Sequence, residues 1–129
     1  MNTTARYKQI QTETASRERL LVMLLDGALK NIHLGVAALE ENRAKDATTT
    51  LTKASDIVVE LHATLDRAMA PDLCDRLAEI YRFVSIRLVR AALSRDKVAA
   101  LEAERALVPI AEAFREAVAT IAATAGVSP

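Results

Sequence analysis

Apolar residues recur along the chain at intervals of three and four, the spacing that keeps side chains on one face of an α-helix. Four such runs follow one another. In the first, Leu21, Leu25, Ala28, Ile32 and Leu39 share a face, and Ser16 as N-cap with Glu18 in the first turn predicts its start. It ends near the polar stretch "EENRAKD". Asp46 is the predicted cap of a second helix, whose stripe is Leu51, Ala54, Val58, Leu61 and Leu65 and whose "TTTLT" opening has weak helix propensity. Pro71 closes that run, and Asp72 is the expected cap of a third, built on Leu73, Leu77, Ile80, Val84, Leu88 and Ala91. Asp96 caps the fourth, where Leu107, Ala111, Phe114, Val118 and Ile121 keep the period and Pro109 predicts a kink. Helices of roughly 20 residues with short polar connectors predict an all-α fold, an antiparallel up-down four-helix bundle over residues 16–125. Residues 1–15 read as a flexible N-terminal arm and 126–129 as a C-terminal tail.

The stripes are wider than a bundle needs. Leu20 to Leu25 are six consecutive apolar residues, and a step of about 100° per residue points them in every direction. On the third helix Ile86, Val89 and Leu93 fall opposite the main stripe; on the second, Ile57 and Val59 flank it. Either one helix is buried nearly all round, or the surplus forms an apolar groove for a partner helix. Tyr7 and Ile10, the larger apolar side chains of the arm, suit a lid over such a groove.

Composition narrows the alternatives. Seventeen basic residues balance seventeen acidic ones, which removes the basic field that most nucleic-acid binders use. The single Cys74 has no disulfide partner and no metal-ligand partner at a suitable spacing. The polar N-terminus lacks the centre of a secretory signal, and no segment is expected to reach the ~20 apolar residues of a bilayer span, so a cytoplasmic protein is predicted. No Gly-rich phosphate loop is present, and no cofactor, metal or catalytic constellation is expected. His33, with Lys30 and Gly35 nearby, offers an alternative reading as a histidine phosphotransfer module, but Lys and Gly lie at offsets unlike those of such modules. His62 follows Glu60 by two residues, a poor fit to one helix face.

The run "YKQIQTETASRERLLVMLLDGALKNI" resembles the N-terminal signature of the FliS family of flagellar secretion chaperones. Its elements are Tyr7, Gln9, Gln11, Thr14-Ala15-Ser16 and Met23-Leu24-Leu25-Asp26-Gly27-Ala28. "KASDIVVELHATLD", through Lys53, Ala54, Ile57, Glu60, Leu61 and Leu65, is similar to a second family segment. "LAEIYRFVSIRLVRAAL", through Tyr81, Arg87 and Leu88, is similar to a third. Leu25, Phe83, Phe114, Arg17 and Pro109 depart from the family pattern. The resemblance implies a helical bundle that binds the disordered C-terminal segment of flagellin in hydrophobic grooves, preventing premature polymerisation. It also implies the flagellar export gate as a further partner, with the chain a monomer or weak homodimer. The expected flagellin contacts are Ile57, Leu61, Ile86, Val89 and Leu93, with Tyr7 and Ile10 as the lid. Gly27 is expected to permit close helix packing within the bundle, and Asp26 to satisfy backbone groups or pair with an arginine.

Overall fold

The computed structural model describes residues 3–125; the side chains of Tyr7, residues 10–15 and Ala125 lie outside the described part. Four helices account for nearly all of it: α1 (Thr3–Glu40), α2 (Ala44–Ala63), α3 (Pro71–Ser94) and α4 (Lys97–Ala125). They pack in a ring, α1 on α2, α2 on α3, α3 on α4 and α4 on α1. Ion pairs across two seams fix directions there, and Gly35 facing Leu51 while Gly27 faces Ile57 does so between α1 and α2. Between α1 and α4, Glu40 Oε1 meets Lys97 Nζ at 3.0 Å, His33 Nδ1 meets Glu104 Oε2 at 3.3 Å and Asp26 meets Arg115, so one helix rises as the other falls. Between α3 and α4, Arg90 Nε reaches Asp96 Oδ2 at 3.1 Å and Arg87 Nε reaches Glu102 Oε2 at 3.6 Å. Adjacent helices are antiparallel.

The predicted stripes meet inside. Leu25, Ile32, Leu51, Val58, Leu61, Val84, Leu88 and Leu107 are fully buried, each contributing about 1.5–3 kcal/mol of transfer free energy. Alanines fill the rest: Ala28, Ala54, Ala91, Ala100, Ala103 and Ala111 have no exposed surface. A core so poor in aromatic residues depends on backbones lying close enough for short side chains to touch.

Helix starts differ from expectation in three places. α1 begins at Thr3, so Ser16 lies inside a helix rather than capping one. Residues 3–15 contain neither Gly nor Pro, and nothing in them halts a helix. α2 begins at Ala44, two residues before Asp46. Asn42, at φ 58°, makes the turn from α1, and Asp46 in the first turn accepts a 2.9 Å hydrogen bond from Arg43 Nη1. The threonine run that follows is helical, with the Thr48, Thr49 and Thr50 hydroxyls donating to carbonyls four residues back. α3 starts at Pro71, whose missing N–H is harmless in the first turn; Asp72 sits beside it and Ala70 is the cap position. Asp96 does cap α4, accepting the Ala99 N–H at 3.1 Å. α4 is helical through Pro109.

One expectation about membranes is corrected. Ser16–Glu40 is long and apolar enough to cross a bilayer by length and composition alone. In the bundle its Leu25, Ala28 and Ile32 are core, and Asp26 and Lys30 lie near its middle. Each of those charges would cost about 2.5–3.5 kcal/mol at a bilayer centre. Packing against α2 and α4 covers the inward face of this helix.

Candidate interaction surface

The stripe of α3 that enters the core, Leu77, Tyr81, Val84, Leu88 and Ala91, leaves the opposite side of the helix facing outward. That side is apolar. Ile86, Val89 and Leu93 are 61%, 47% and 81% exposed. Steps of three and four residues put the three in one row. Beside the row, a groove of about 410 Å³ runs between α2 and α3, with Val59, His62, Ser85 and Ile86 on its walls and Val58 and Tyr81 beneath. Burial pushes the Tyr81 hydroxyl up to about 12, so the ring beneath the groove stays neutral at physiological pH. Toward the α2–α3 connector the lining turns polar: Arg82, Glu79 and the Arg67–Asp75 ion pair surround a pocket of about 510 Å³. On the other flank of α3 the Arg87 guanidinium covers the Phe83 ring at 5.4 Å.

A second cleft, of about 490 Å³, opens between the start of α3 and the second half of α4. Leu73, Leu77, Ile110, Phe114 and Ile121 line it, and Glu18 of α1 is the one charged residue on its wall among the described residues. Burial raises the Glu18 carboxyl above its ordinary value, partly opposed by Arg17. Periodicity hid this cleft, because Leu73, Leu77, Phe114 and Ile121 are all predicted to face inward; the gap between the two helices opens it and leaves Leu73 55% exposed.

The expected contact residues separate into groups. Ile86, Val89 and Leu93 stand together on the α3 row. Leu61 is fully buried and is corrected to a core residue that a partner could reach only by opening the bundle. Ile57 is partly buried against the core at the α1–α2 seam, away from the α3 row. Tyr7 and Ile10 lie outside the described side chains. Val59, 58% exposed, joins the groove; its position flanking the second stripe was the available signal.

The features of the phosphotransfer alternative find other roles. His33 pairs with Glu104. Gly35 faces Leu51 so closely that a Cβ would stand 2.5 Å from it, which makes this glycine part of the α1–α2 packing rather than a clearing for a docking protein. No group of three His, Cys, Asp or Glu able to hold a metal occurs among the described residues.

An antiparallel helical ring with an apolar row on its outside is a shape many proteins share, and comparison with known proteins decides between them. The family described as "Flagellar protein FliS" matches residues 1–121. The chain belongs to the FliS family. It is similar to the flagellar secretion chaperone FliS of Bacillus subtilis (strain 168), 30% identical over 112 residues that cover 87% of this chain and 83% of the relative. FliS of Escherichia coli (strain K12) is 30% identical over 118 residues, covering 88% and 87%. That of Salmonella typhimurium (strain LT2) is 32% identical over 115 residues, covering 85% of each. These FliS relatives are named as chaperones and not as enzymes. Within the FliS signature run, Asp26 forms the ion pair with Arg115 across the α1–α4 seam. Gly27 does not serve bundle packing as expected: a Cβ there would meet only the Ile57 Cδ1 methyl, at an ordinary 3.6 Å.

Proposed function

We propose that this FliS-family chaperone binds the disordered C-terminal segment of flagellin in the cytoplasm, keeps it from polymerising and holds it ready for export, with the export gate as a second partner of the complex. The observation that carries this reading is the row Ile86, Val89 and Leu93 on the solvent side of α3. Among the described residues nothing covers it, and a row of three apolar residues at helical spacing matches an amphipathic helix laid alongside. The groove formed with Val59 and Ile86 extends the seat onto α2. Covering each such side chain fully is worth about 1.5–3 kcal/mol, against several kcal/mol lost in ordering the client. Several such contacts are therefore needed. Tyr7 and Ile10 are proposed as a lid over this apolar surface.

Isothermal titration of the full chain with the C-terminal segment of its cognate flagellin tests the reading. Ile86→Asp and Val89→Asp should each weaken binding at least tenfold while the bundle still melts cooperatively. Unchanged binding by both variants would move the client elsewhere.

A further inference from the structure

Pro109 stands in the interior of α4, and the helix continues through it. Having no N–H, it cannot donate to the Arg105 carbonyl four residues back, and its ring crowds that carbonyl. One bond of the ladder is therefore missing where α4 passes from its first half to its second. Proline is the least favourable residue in a helix interior, and sharp bends in helices fall at such places.

The two halves are held differently. Before Pro109, Arg90 with Asp96 and Arg87 with Glu102 tie α4 and its cap to α3, and Ala99, Ala100, Ala103 and Leu107 lie in the core. Beyond Pro109, no ion pair joins α4 to α3 among the described residues. Leu107 is the last large side chain of α4 to be fully buried; past it only Ala111 and Ala122 lie as deep. What separates the second half from α3 is the apolar cleft of about 490 Å³, and Pro109 stands on its wall. The register set by the two ion pairs runs the end of α4 past the start of α3 at Pro71, leaving α1 as its neighbour. The polar tie to α1 is the Asp26–Arg115 pair, about half exposed on both sides and correspondingly weak.

Two forces act on the cleft. Closing it would take Leu73, Leu77, Phe114 and Ile121 out of water, which is favourable. Closing it would also strip water from the Glu18 carboxylate on the same wall, and a carboxylate buried without a partner is costly. The two oppose each other.

We propose that Pro109 is a hinge about which the second half of α4 swings as a unit, toward the start of α3 to close the cleft and away from it to open it. The first half stays fixed on α3. The chain thereby hides or offers the apolar wall of the cleft without disturbing Ile86, Val89 and Leu93, which lie on the half of α3 that the moving segment does not reach.

Pulsed dipolar spectroscopy on the full chain tests the hinge. In a Cys74→Ala background, nitroxides on Asp72→Cys and Thr120→Cys, both exposed positions, span the cleft. A control pair on Arg82→Cys and Arg105→Cys, also exposed, spans α3 and the fixed half of α4. The cleft pair should give a broad or two-peaked distance distribution and the control pair a single narrow one. Pro109→Ala restores the missing bond and should collapse the first to one peak. Glu18→Gln should move its weight to shorter distances. Hydrogen exchange on the unlabelled protein reads the same motion independently: amides of residues 110–122 should exchange at least tenfold faster than those of 99–107, and Pro109→Ala should narrow that gap. A cleft pair as narrow as the control overturns the proposal, as does exchange in 110–122 no faster than in 99–107. So does a broad distribution or an exchange gap that Pro109→Ala leaves unchanged, or a distribution that Glu18→Gln does not move.

Discussion

Leu51 of α2 occupies the space that a side chain on Gly35 of α1 would need: a Cβ at position 35 would stand 2.5 Å from Leu51 Cδ2. Leu51 is itself fully buried, so it has no solvent-filled space into which to retreat. Gly35→Ala should therefore destabilise the bundle by about 1–3 kcal/mol, the usual cost of overpacking. Equilibrium urea unfolding measures it. Adding Leu51→Ala should cost less than the two single changes summed, since the second makes room for the first. Strict additivity would mean that the seam relaxes some other way.

Leu61 and Leu93 make the complementary pair. The first is fully buried and the second 81% exposed, though both were expected to contact flagellin. Leu61→Ala should cost about 2–5 kcal/mol through the cavity it leaves. Leu93→Ala should leave stability within roughly 0.5 kcal/mol of wild type and weaken the flagellin segment instead. Denaturant midpoints and titration on the same two proteins check both halves.

That pair also marks what could be read without coordinates. Periodicity located the inward stripes of all four helices except at Leu73, which is exposed, and it placed Ile86, Val89 and Leu93 outside because they oppose a stripe on their own helix. That argument needs only one helix at a time. Leu61 lies where its stripe puts it, fully buried, and only its assignment as a flagellin contact failed. Gly27 was expected to serve close packing and Gly35 was read only for the phosphotransfer alternative, because a glycine's purpose depends on the atom facing it, and Leu51 and Ile57 come from another helix. Ser16 misled as a start signal because capping residues mark a boundary only where the preceding chain stops being helical, and residues 3–15 hold no breaker. The α3–α4 cleft is a gap between two inward stripes, a property of spacing rather than of pattern.

Asp96 gives a prediction in pH. Its carboxylate accepts the Ala99 N–H at the head of α4 and the Arg90 side chain, and these bonds hold it below its ordinary value of 3.8. A depressed folded-state value means the ionised form is favoured in the folded state. The contribution is complete at pH above the unfolded value and is lost as pH falls through the lowered folded value. Asp96→Ala should therefore melt at a lower temperature than wild type at pH 7. The charge-dependent part of that difference should disappear in strongly acidic buffer. A constant gap from pH 7 to pH 2 would leave the cap as an uncharged hydrogen bond only.

Glu18 should behave with the opposite sign. It stands at the wall of the apolar α3–α4 cleft, where burial raises its carboxyl above 4.5 and Arg17 offsets part of the effect. The folded state thus holds the proton more tightly than the unfolded chain does. Below pH 4.5 both states are protonated and nothing is lost; as pH rises through the elevated folded value, folding carries the cost of a partly desolvated charge. Glu18→Gln removes that cost and keeps the shape. Its melting temperature should exceed wild type at pH 7, and the gap should close as the buffer is taken below pH 4.5. Arg17→Gln should do the reverse at pH 7, because it removes the cation that offsets the desolvation. A less stable Glu18→Gln at neutral pH would show that the carboxylate earns a favourable contact at the cleft.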